Sequence, residues 1–325
     1  MNPMAPQQSG NASTAELAAR SRTLLAMSVD VEDYFHASAF RHSVSISVWD
    51  SIPTRVEGNT LRVLDLFAEF DCKATFFVLG WVAERHPSLV RQIERAGHEL
   101  GCHSYSHRLV YELSPAQFRA DTQRALCAIE NAAGVRVRAY RSPSFSISPR
   151  SAWAFAELVD LGFEMDSSVF PIRHDLYGFA AAPRFPFRIP IGGKSLIEFP
   201  VPTVRIGWVN FPITGGGYLR QLPLGFQTRL LKRHLQKSRP SVIYFHPWEL
   251  DPAQPRVAAP LLSRFRHYTG LKRTEARLRK MLSEFRFATL SQTVRASGPL
   301  PEFDLSRTAE CQYKFQPAQS QLAMR

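Results

Sequence analysis

Cysteines are scarce in this sequence, and none of them form a pair at the spacing typical of redox or metal motifs. Cys72, Cys102, Cys127 and Cys311 are the four cysteines among 325 residues, and no CxxC pair occurs. A fold held together by disulfides is therefore not expected, and reduced thiols are the default interpretation.

Long apolar runs are missing as well. No stretch approaches the ~20 consecutive apolar residues that a membrane-spanning helix requires. Residues 1–22 are polar and rich in Ala, Ser, Gln and Asn, without the basic start and apolar stretch of a signal peptide. These absences predict a disordered tail over 1–22 and a cytoplasmic protein, and they leave open a position at the inner membrane surface.

Acidic residues are outnumbered by basic ones. The chain has 40 Lys and Arg against 28 Asp and Glu, a net charge of +12 with a pI near 9.9. This balance favours anionic neighbours such as nucleic acid, an acidic glycan or a membrane surface. No nucleic-acid-binding motif accompanies the charge, so no nucleic acid partner is expected. Much of the excess lies in 232–234 and 264–280, which indicates either solvated helix faces or peripheral membrane association through basic C-terminal helices.

The chain does have a globular composition and an alternating pattern. Hydrophobic residues make up 45% of it, enough for a large core. From residue 23, short apolar runs alternate with amphipathic stretches, which is typical of repeated βα units. Seven strands are predicted, at 23–29, 74–79, 99–102, 137–140, 163–165, 195–199 and 241–245. Helices are predicted at 60–70, 87–96, 115–133, 149–161 and 260–287.

This alternation is interrupted over residues 185–224, which are rich in Pro and Gly. The segment contains Gly215-Gly216-Gly217 but lacks the Lys-Ser/Thr that follows a phosphate-binding loop. A flexible or tightly turned loop is expected at this Gly run. One domain is predicted over 23–290 with a C-terminal helical extension, followed by a tail over 291–325.

Five chemically capable side chains follow the ends of five predicted strands. They are Asp30, His103, Arg141, Asp166 and His246. In a parallel β/α barrel, the loops after the strands converge on one face, and that face carries the active site. Five such residues together predict an active site at this face, although each alone has an ordinary structural explanation.

Two imidazoles and three carboxylates point to a metal site. His103 and His107 lie four residues apart in His-Ser-Tyr-Ser-His, a spacing that on one helical turn puts both side chains on the same face. Asp30, Glu32 and Asp33 crowd three negative charges into four residues, which is costly unless a cation or hydrogen bonds compensate them. A solvated acidic turn is the alternative. A thiolate of Cys102 is a weaker alternative ligand, because strand alternation aims it away from His103.

Taken in order, these motifs resemble the NodB homology domain of the polysaccharide deacetylases, carbohydrate esterase family 4. The matching segments are Ser-Val-Asp30, His103-Ser-Tyr-Ser-His107, Arg141-Ser-Pro143, Asp166-Ser-Ser168 and Ile-Tyr-Phe-His246. They span about 23 to 250. The segments Asp-Val-Glu-Asp-Tyr-Phe and Phe-His-Pro-Trp-Glu resemble the subgroup encoded with bacterial exopolysaccharide and exosortase loci.

The resemblance implies an α/β fold, the distorted (β/α)7 barrel, with one divalent metal ion, usually zinc. His103 and His107 would be metal ligands. The commoner family motif has a second Asp directly after the first, where this chain has Val31. Glu32 is the expected third ligand and Asp33 is the alternative. Alternate residues of a strand share a face, so Glu32 lies on the same face as Asp30, whereas Asp33 points away.

The same resemblance implies the catalytic roles. Asp30 would be the general base, held ionised by Arg141. His246 would be the general acid, hydrogen-bonded to Asp166, which would favour the protonated imidazolium.

The expected function is a metal-dependent hydrolase that removes N-acetyl groups from N-acetylhexosamine units of a bacterial exopolysaccharide. An allantoinase-like C–N hydrolase that acts on a small cyclic amide is an alternative, since some relatives perform that chemistry. A non-catalytic glycan- or membrane-binding protein is the alternative from another class. The complete set of motif residues argues against it.

Overall fold

The computed structural model describes residues 24–174 and 177–307. Within these ranges the chain forms ten strands: β1 Leu25–Val31, β2 Thr75–Val78, β3 Glu99–Cys102, β4 Ala139–Tyr140, β5 Met165–Asp166, β6 Phe187–Ile191, β7 Lys194–Glu198, β8 Thr203–Ile206, β9 Val209–Pro212 and β10 Ser241–Phe245. It also forms the α-helices α1 Val56–Glu69, α2 Gly80–Arg85, α3 Pro87–Arg95, α4 Pro115–Ala133, α5 Ala154–Asp160, α6 Gly216–Gln221, α7 Leu224–Gln236, α8 Leu261–Tyr268, α9 Leu271–Glu284 and α10 Leu290–Ala296.

One sheet organises the molecule. Its strand order is β10-β1-β2-β3-β4-β5-β7-β6, with every pair parallel except the last. The seven parallel strands are the seven that the sequence predicts, with ends displaced by two residues at most. The strands β1 and β10 are buried along their whole length, which explains why most of their residues are apolar.

Side chains at the carboxyl edge curl the sheet. Phe145 follows β4, Phe170 follows β5 and Val201 follows β7, and all three form one buried cluster with Tyr244 of β10. The ring centroids of Phe145 and Tyr244 lie 4.8 Å apart. Because β10 and β7 are far apart in the strand order, this cluster can form only if the sheet bends round on itself.

The long helix α4 begins and ends where the sequence predicts. The Ser114 hydroxyl accepts the backbone N–H of Gln117, and Gly134 closes the helix in the left-handed conformation with φ 73°. By contrast, the stretch predicted as a helix over 149–161 is split into a 3-10 turn, Pro149–Ser151, and α5.

Segment 185–224 holds more regular structure than was predicted, and the loop expected at its Gly run is wrong in part, because α6 begins at Gly216. The segment contains β6, the hairpin β8–β9 and α6 as well as the predicted strand β7. The strands β6, β8 and β9 are short and pair antiparallel, and in β6 buried residues alternate with exposed ones, so these strands lack the buried run of β1, β2 and β10. The turn between β6 and β7 uses Gly192 and Gly193, both with positive φ, and such glycines suggested loop structure.

The C-terminal region also differs from the prediction. The single helix expected over 260–287 is broken between α8 and α9 at Gly270, which has φ 86°. The expected tail contains α10, and Glu302 bridges to Arg188. Leu290 is fully buried with Ala26 and Phe77, so this segment adds to the core. The predicted tail over 1–22 and residues 308–325 lie outside the described ranges.

Among the described residues, no helix has both the length and the apolar character needed to cross a membrane.

Candidate active site

A buried ion pair stands at the centre of the carboxyl edge. Asp30 at the end of β1 accepts a hydrogen bond from Arg141, which follows β4, with Nη1 and Oδ1 2.7 Å apart. Arg141 also donates to the Ser28 hydroxyl at 2.8 Å and, through Nη2, to the Ser167 hydroxyl at 2.9 Å. Its guanidinium lies over the Phe77 ring, 4.2 Å from the centroid. The two buried charges therefore compensate each other in a fully bonded environment.

Beside this pair, Glu32, His103 and His107 bring three ligand-type atoms within 4.8 Å of one another. Nε2 of His107 lies 2.9 Å from Oε2 of Glu32. Nδ1 of His103 lies 2.8 Å from the carbonyl oxygen of Arg141, a contact that assigns the proton to Nδ1 and turns Nε2 toward the cluster. Such a backbone contact is typical of histidines that hold metals.

The local backbone that carries the two histidines is a turn and not the helical turn that the spacing suggested. Ser104 and His107 both have positive φ, 62° and 51°. The hydroxyl of Ser104 accepts the backbone N–H of His107 at 3.2 Å, and Asp121 on α4 accepts the backbone N–H of Tyr105 at 2.8 Å. The prediction that the imidazoles lie together is right, and its helical reason is wrong.

The charge states of these groups fit a divalent metal. Burial alone would raise the pKa of Glu32, but the adjacent imidazoles of His107 and His246 outweigh it and hold the pKa below its ordinary value. Burial lowers the pKa of His103 to about 4. A carboxylate and a neutral imidazole are the forms that ligate metals.

An orphaned atom supports the same assignment. Oε2 of Glu32 is buried and makes no hydrogen bond, although Nε2 of His107 is 2.9 Å away. If Oε2 of Glu32 and Nε2 of His107 both direct a lone pair to the same point, neither atom can donate a hydrogen bond to the other. A cation at that point would bind both atoms. One carboxylate and two imidazoles also match the ligand set of a catalytic zinc site with an open position.

Neither of the two alternative ligands, Asp33 or Cys102, belongs to the cluster. The Asp33 carboxylate accepts three backbone N–H groups, those of Tyr34, Arg55 and Val56, at 2.8, 2.6 and 2.9 Å. It therefore fixes the start of α1. Burial raises the pKa of the Cys102 thiol, which favours the protonated form and not a thiolate.

His246, which follows β10, completes the cluster. Its Nε2 lies 3.2 Å from Oε1 of Glu32 and 3.9 Å from Oδ2 of Asp30. Its Nδ1 lies 2.7 Å from Oε1 of Glu249. Burial acts to lower the pKa of His246, but the carboxylates of Glu32 and Glu249 outweigh it and raise the pKa to about 9, so the imidazole is protonated at neutral pH.

The expected hydrogen bond between Asp166 and His246 is not what the structure has, because Glu249 occupies the partner position at Nδ1. The carboxylate of Asp166 instead accepts the Ser168 hydroxyl at 2.5 Å. Glu249 sits three residues after His246, on the 3-10 turn Pro247–Leu250, and also accepts the backbone N–H of His246 at 3.0 Å. Asp166 lies on β5, two strands away from β3 in the sheet, and Ser168 in the loop that follows β5 donates to it.

A second carboxyl pair lies behind the site. Asp166 and Glu198 stand opposite each other on β5 and β7, and both are fully buried. Burial and the charge of Asp166 raise the pKa of Glu198 well above its ordinary value, which favours the protonated form that can donate to Asp166. Its Oε1 accepts the backbone N–H of Val169 at 3.0 Å.

Sequence reasoning missed Glu249, Arg220, Trp248 and Glu198. Arg220 on α6 pairs with Glu249, with Nε and Oε2 2.6 Å apart, and the Trp248 indole donates to Glu32 at 3.3 Å. Glu249 and Trp248 belong to Phe-His-Pro-Trp-Glu, and the three-residue spacing from His246 to Glu249 was available as a signal. Arg220 and Glu198 stand alone in the sequence with no motif around them.

Comparison with known families gives two matches that together cover most of the chain. Residues 39–164 match the family Polysaccharide deacetylase, and residues 167–295 match Domain of unknown function (DUF3473). The first match contains the two histidines and Arg141, and the second contains His246.

Curated relatives match over short segments. A bifunctional xylanase/deacetylase of Pseudobutyrivibrio xylanivorans is 37% identical over 90 residues, 27% of this chain and 15% of that protein. A peptidoglycan-N-acetylglucosamine deacetylase of Bacillus cereus is 32% identical over 84 residues, 26% of this chain and 30% of that protein. The chain therefore matches less than a third of the length of these relatives.

A solved structure supports the architecture. A Mycobacterium smegmatis protein assigned to the polysaccharide deacetylases superposes with a TM-score of 0.59 at 21% identity, over 86% of this chain and 92% of that one. The predicted fold class, a distorted (β/α)7 barrel, is confirmed.

Proposed function

This chain carries a polysaccharide deacetylase domain of the NodB type, as its motifs predicted, and from that premise we propose that it is a metal-dependent deacetylase. The proposed reaction is hydrolysis of the N-acetyl group of an N-acetylhexosamine unit in a bacterial exopolysaccharide. The products are acetate and the free amino sugar unit.

The observation that carries the proposal is the convergence of three functional parts at one edge of the sheet. A metal-type cluster of Glu32, His103 and His107 lies beside Asp30, and His246 faces both, with Nε2 within 3.9 Å of each carboxylate. A nucleophile-activating base, a ligand set and a proton donor are what amide hydrolysis requires.

Glu32, His103 and His107 would hold one divalent metal ion, for which we propose zinc. A metal bound there would lower the pKa of a water molecule and polarise the acetyl carbonyl. Asp30 accepts the proton of the attacking water, and Arg141 fixes its carboxylate through Oδ1. The water oxygen forms the new bond to the carbonyl carbon.

His246 supplies the proton that the leaving group needs. When the C–N bond breaks, Nε2 of His246 donates its proton to the departing nitrogen. Glu249 holds the ring through Nδ1 and stabilises its positive charge, and Arg220 anchors Glu249 in turn. Asp30 and His246 thus end the reaction with their protonation states exchanged, and exchange with solvent restores both.

The names of relatives support an amino sugar substrate. Besides the peptidoglycan-N-acetylglucosamine deacetylase, a chitooligosaccharide deacetylase of Rhizobium leguminosarum is 44% identical over 48 residues, 15% of this chain and 22% of that protein. The exopolysaccharide assignment rests on the likeness of the segments around Asp30 and His246 to the exopolysaccharide-locus subgroup.

The test is acetate release from an N-acetylglucosamine oligomer by the purified full chain, before and after chelation and after zinc is added back. We expect release that the chelator stops and zinc restores. Release that survives complete removal of metal would contradict metal dependence. A protein with one bound metal per chain and no release would contradict this substrate class.

A further inference from the structure

The hairpin β8–β9 has one apolar face and one polar face. Its register places Val204 opposite Phe211 and Ile206 opposite Val209, and opposed residues of antiparallel strands point to the same side. Arg205 and Asn210 form the other face.

The outer part of the apolar face is uncovered. Ile206 is 57% exposed, Val209 53% and Phe211 45%, and Trp208 in the two-residue turn is 93% exposed. Only Val204 packs against the main core. A two-stranded hairpin is marginally stable alone, and contiguous exposed apolar side chains of this kind typically mark an interaction surface.

The helix α8 presents a second apolar group. Leu261, Leu262 and Phe265 are 81%, 59% and 60% exposed, and their spacing places them on one side of the helix. The next turn of α8 is anchored in the fold: Arg220 donates to the carbonyl oxygens of Arg266 and His267. The apolar group is therefore held in place while its side chains face solvent.

Both groups lie on the active-site side of the sheet. The hairpin follows the carboxyl end of β7, and Asn210 donates at 2.7 Å to the carbonyl oxygen of Pro171, in the loop after β5. The helix α8 follows β10 and packs against the 3-10 turn Ser38–Phe40, which follows β1. Segments that follow the carboxyl ends of parallel strands share one face of the fold.

The charge of this region is almost entirely positive. Residues 199–274 contain twelve Lys or Arg and two acidic residues, a net of +10 out of +12 for the whole chain. The two acidic residues, Glu249 and Asp251, are buried and paired with Arg220 and Arg55.

Near the hairpin the positive charges are crowded. Arg184, Arg205 and Arg239 make no ion pair within the described residues, and burial together with the charges of Arg239 and Arg205 lowers the pKa of Arg184. Guanidinium groups that lack carboxylates of their own are available to an external anion.

We propose that the hairpin β8–β9 and α8 form an interfacial anchor that docks the active-site face onto an anionic phospholipid surface. Trp208 and the aliphatic side chains enter the boundary between headgroups and acyl chains, as tryptophan does at membrane interfaces. The surrounding Lys and Arg side chains bind lipid phosphates.

Two other occupants fit less well. A second copy docked on this surface would bring its own Arg184, Arg205 and Arg239 toward those of the first, and like charges across an interface oppose association. A glycan stacks on aromatic rings and also needs hydrogen-bonding partners. Trp208, Phe211 and Phe265 offer rings, but the side chains between them, Ile206, Val209, Leu261 and Leu262, are aliphatic and offer no such partners.

The inference goes beyond the proposed deacetylation and does not depend on it. Vesicle binding needs no turnover, so a protein without deacetylase activity can still bind lipid, and an active protein can fail to bind.

The test is cosedimentation of the full chain with vesicles of phosphatidylcholine alone and of phosphatidylcholine with phosphatidylglycerol. We expect binding to the anionic vesicles at least tenfold tighter than to the neutral ones, and weakened by salt. Tryptophan emission should shift to the blue on binding, because Trp208 is far more exposed than the four other tryptophans.

Variants distinguish binding through the hairpin from nonspecific binding of the chain to vesicles. The double variant Ile206→Ser and Trp208→Ser should weaken binding at least tenfold with an unchanged circular dichroism spectrum. Val135→Ser is the matched control, because Val135 is 40% exposed on the loop before β4, at the opposite edge of the sheet. Trp208→Phe should keep most of the binding and lose the blue shift.

Three results would overturn the proposal. One is no binding to either vesicle, and another is equal weakening by the hairpin double variant and by Val135→Ser. The third is a concentration-dependent dimer, or saturable binding to an N-acetylglucosamine oligomer, that the double variant abolishes while vesicle binding stays unchanged. That result would assign the surface to a second copy or to glycan.

Discussion

At the scale of single residues, Asp33 shows how a carboxylate next to a metal-type cluster can serve the fold instead. We expect Asp33→Ala to lower the free energy of unfolding by about 1–3 kcal/mol, because three backbone N–H groups lose their acceptor. Denaturant unfolding measures the loss. The variant should bind metal as the wild type does.

Asp65→Ala is the matched control for this change, since Asp65 is exposed on the same helix, α1, that Asp33 anchors. Its unfolding free energy should stay within about 0.5 kcal/mol of wild type. Loss of metal from Asp33→Ala with unchanged stability would make Asp33 a ligand.

Glu249 is expected to matter for turnover and not for metal binding. Glu249→Gln keeps the shape of the side chain but removes the charge that stabilises protonated His246, so we expect kcat to fall by roughly 10²-fold. Metal content, measured on the same preparation, should not change. Wild-type kcat in this variant would remove Glu249 from the support of His246.

The sequence predicted which strand ends carry the site but not every contact between them. The convergence of Asp30, Glu32, His103 and His107 was predictable, because each stands in a motif with a spacing that metal or base chemistry uses. Asp166 was assigned to His246 by resemblance, and the position is filled by Glu249 only three residues away. Arg220 and Glu198 reach the site through tertiary packing, which leaves no local pattern in the sequence.

At the scale of elements, Gly101 of β3 lets two neighbouring strands support the buried ion pair. A Cβ at Gly101 would lie 2.4 Å from the Phe77 ring, the ring that carries the Arg141 guanidinium. We expect Gly101→Ala to lower the free energy of unfolding by about 1–3 kcal/mol through overpacking. It should also lower kcat, because a displaced Phe77 moves Arg141 and Asp30.

The matched substitution is Gly58→Ala in α1, where a Cβ would meet nothing within 4 Å. Alanine there should raise the free energy of unfolding by about 0.5–1 kcal/mol, with unchanged kcat. Denaturant unfolding measures the free energy of unfolding of both variants. A Gly101→Ala protein as stable as Gly58→Ala would show that Phe77 and the two strands can shift to accept the methyl group without loss of stability.

Buried elements were easier to predict from the sequence than exposed ones. The seven parallel strands were all predicted, most clearly β1, β2 and β10, which are buried along their whole length. The helix α4 has an N-terminal Ser-Pro and a C-terminal Gly at its ends. The hairpin β8–β9 was missed because its exposed apolar residues and its Pro- and Gly-rich surroundings resemble a loop. Its strands are stabilised by each other and by contacts that no local window contains.

At the scale of the whole molecule, the buried pair Asp166 and Glu198 links stability to pH. The pKa of Glu198 is raised well above its ordinary value in the folded state. Its contribution to stability is therefore fully present below the unfolded-state pKa and is lost as pH rises through the folded-state pKa. The loss can reach about 1.4 kcal/mol per pH unit for one proton.

Glu198→Gln keeps a donor toward Asp166 and removes this titration. We expect the variant to lose less stability than wild type as pH rises above the ordinary range of a glutamate, as measured by denaturant unfolding at a series of pH values. Parallel pH profiles for the two proteins would mean that Glu198 is already ionised in the fold.

The measurement that tests the central claim most directly is metal content and acetate release on the same preparations of wild type, Asp30→Asn and Glu32→Gln. The claim assigns Glu32 to the metal and Asp30 to the water proton. We predict that Asp30→Asn retains one metal ion per chain and releases no acetate, whereas Glu32→Gln loses most of its metal together with its activity. Metal loss from Asp30→Asn, or full metal content in Glu32→Gln, would contradict this division of roles.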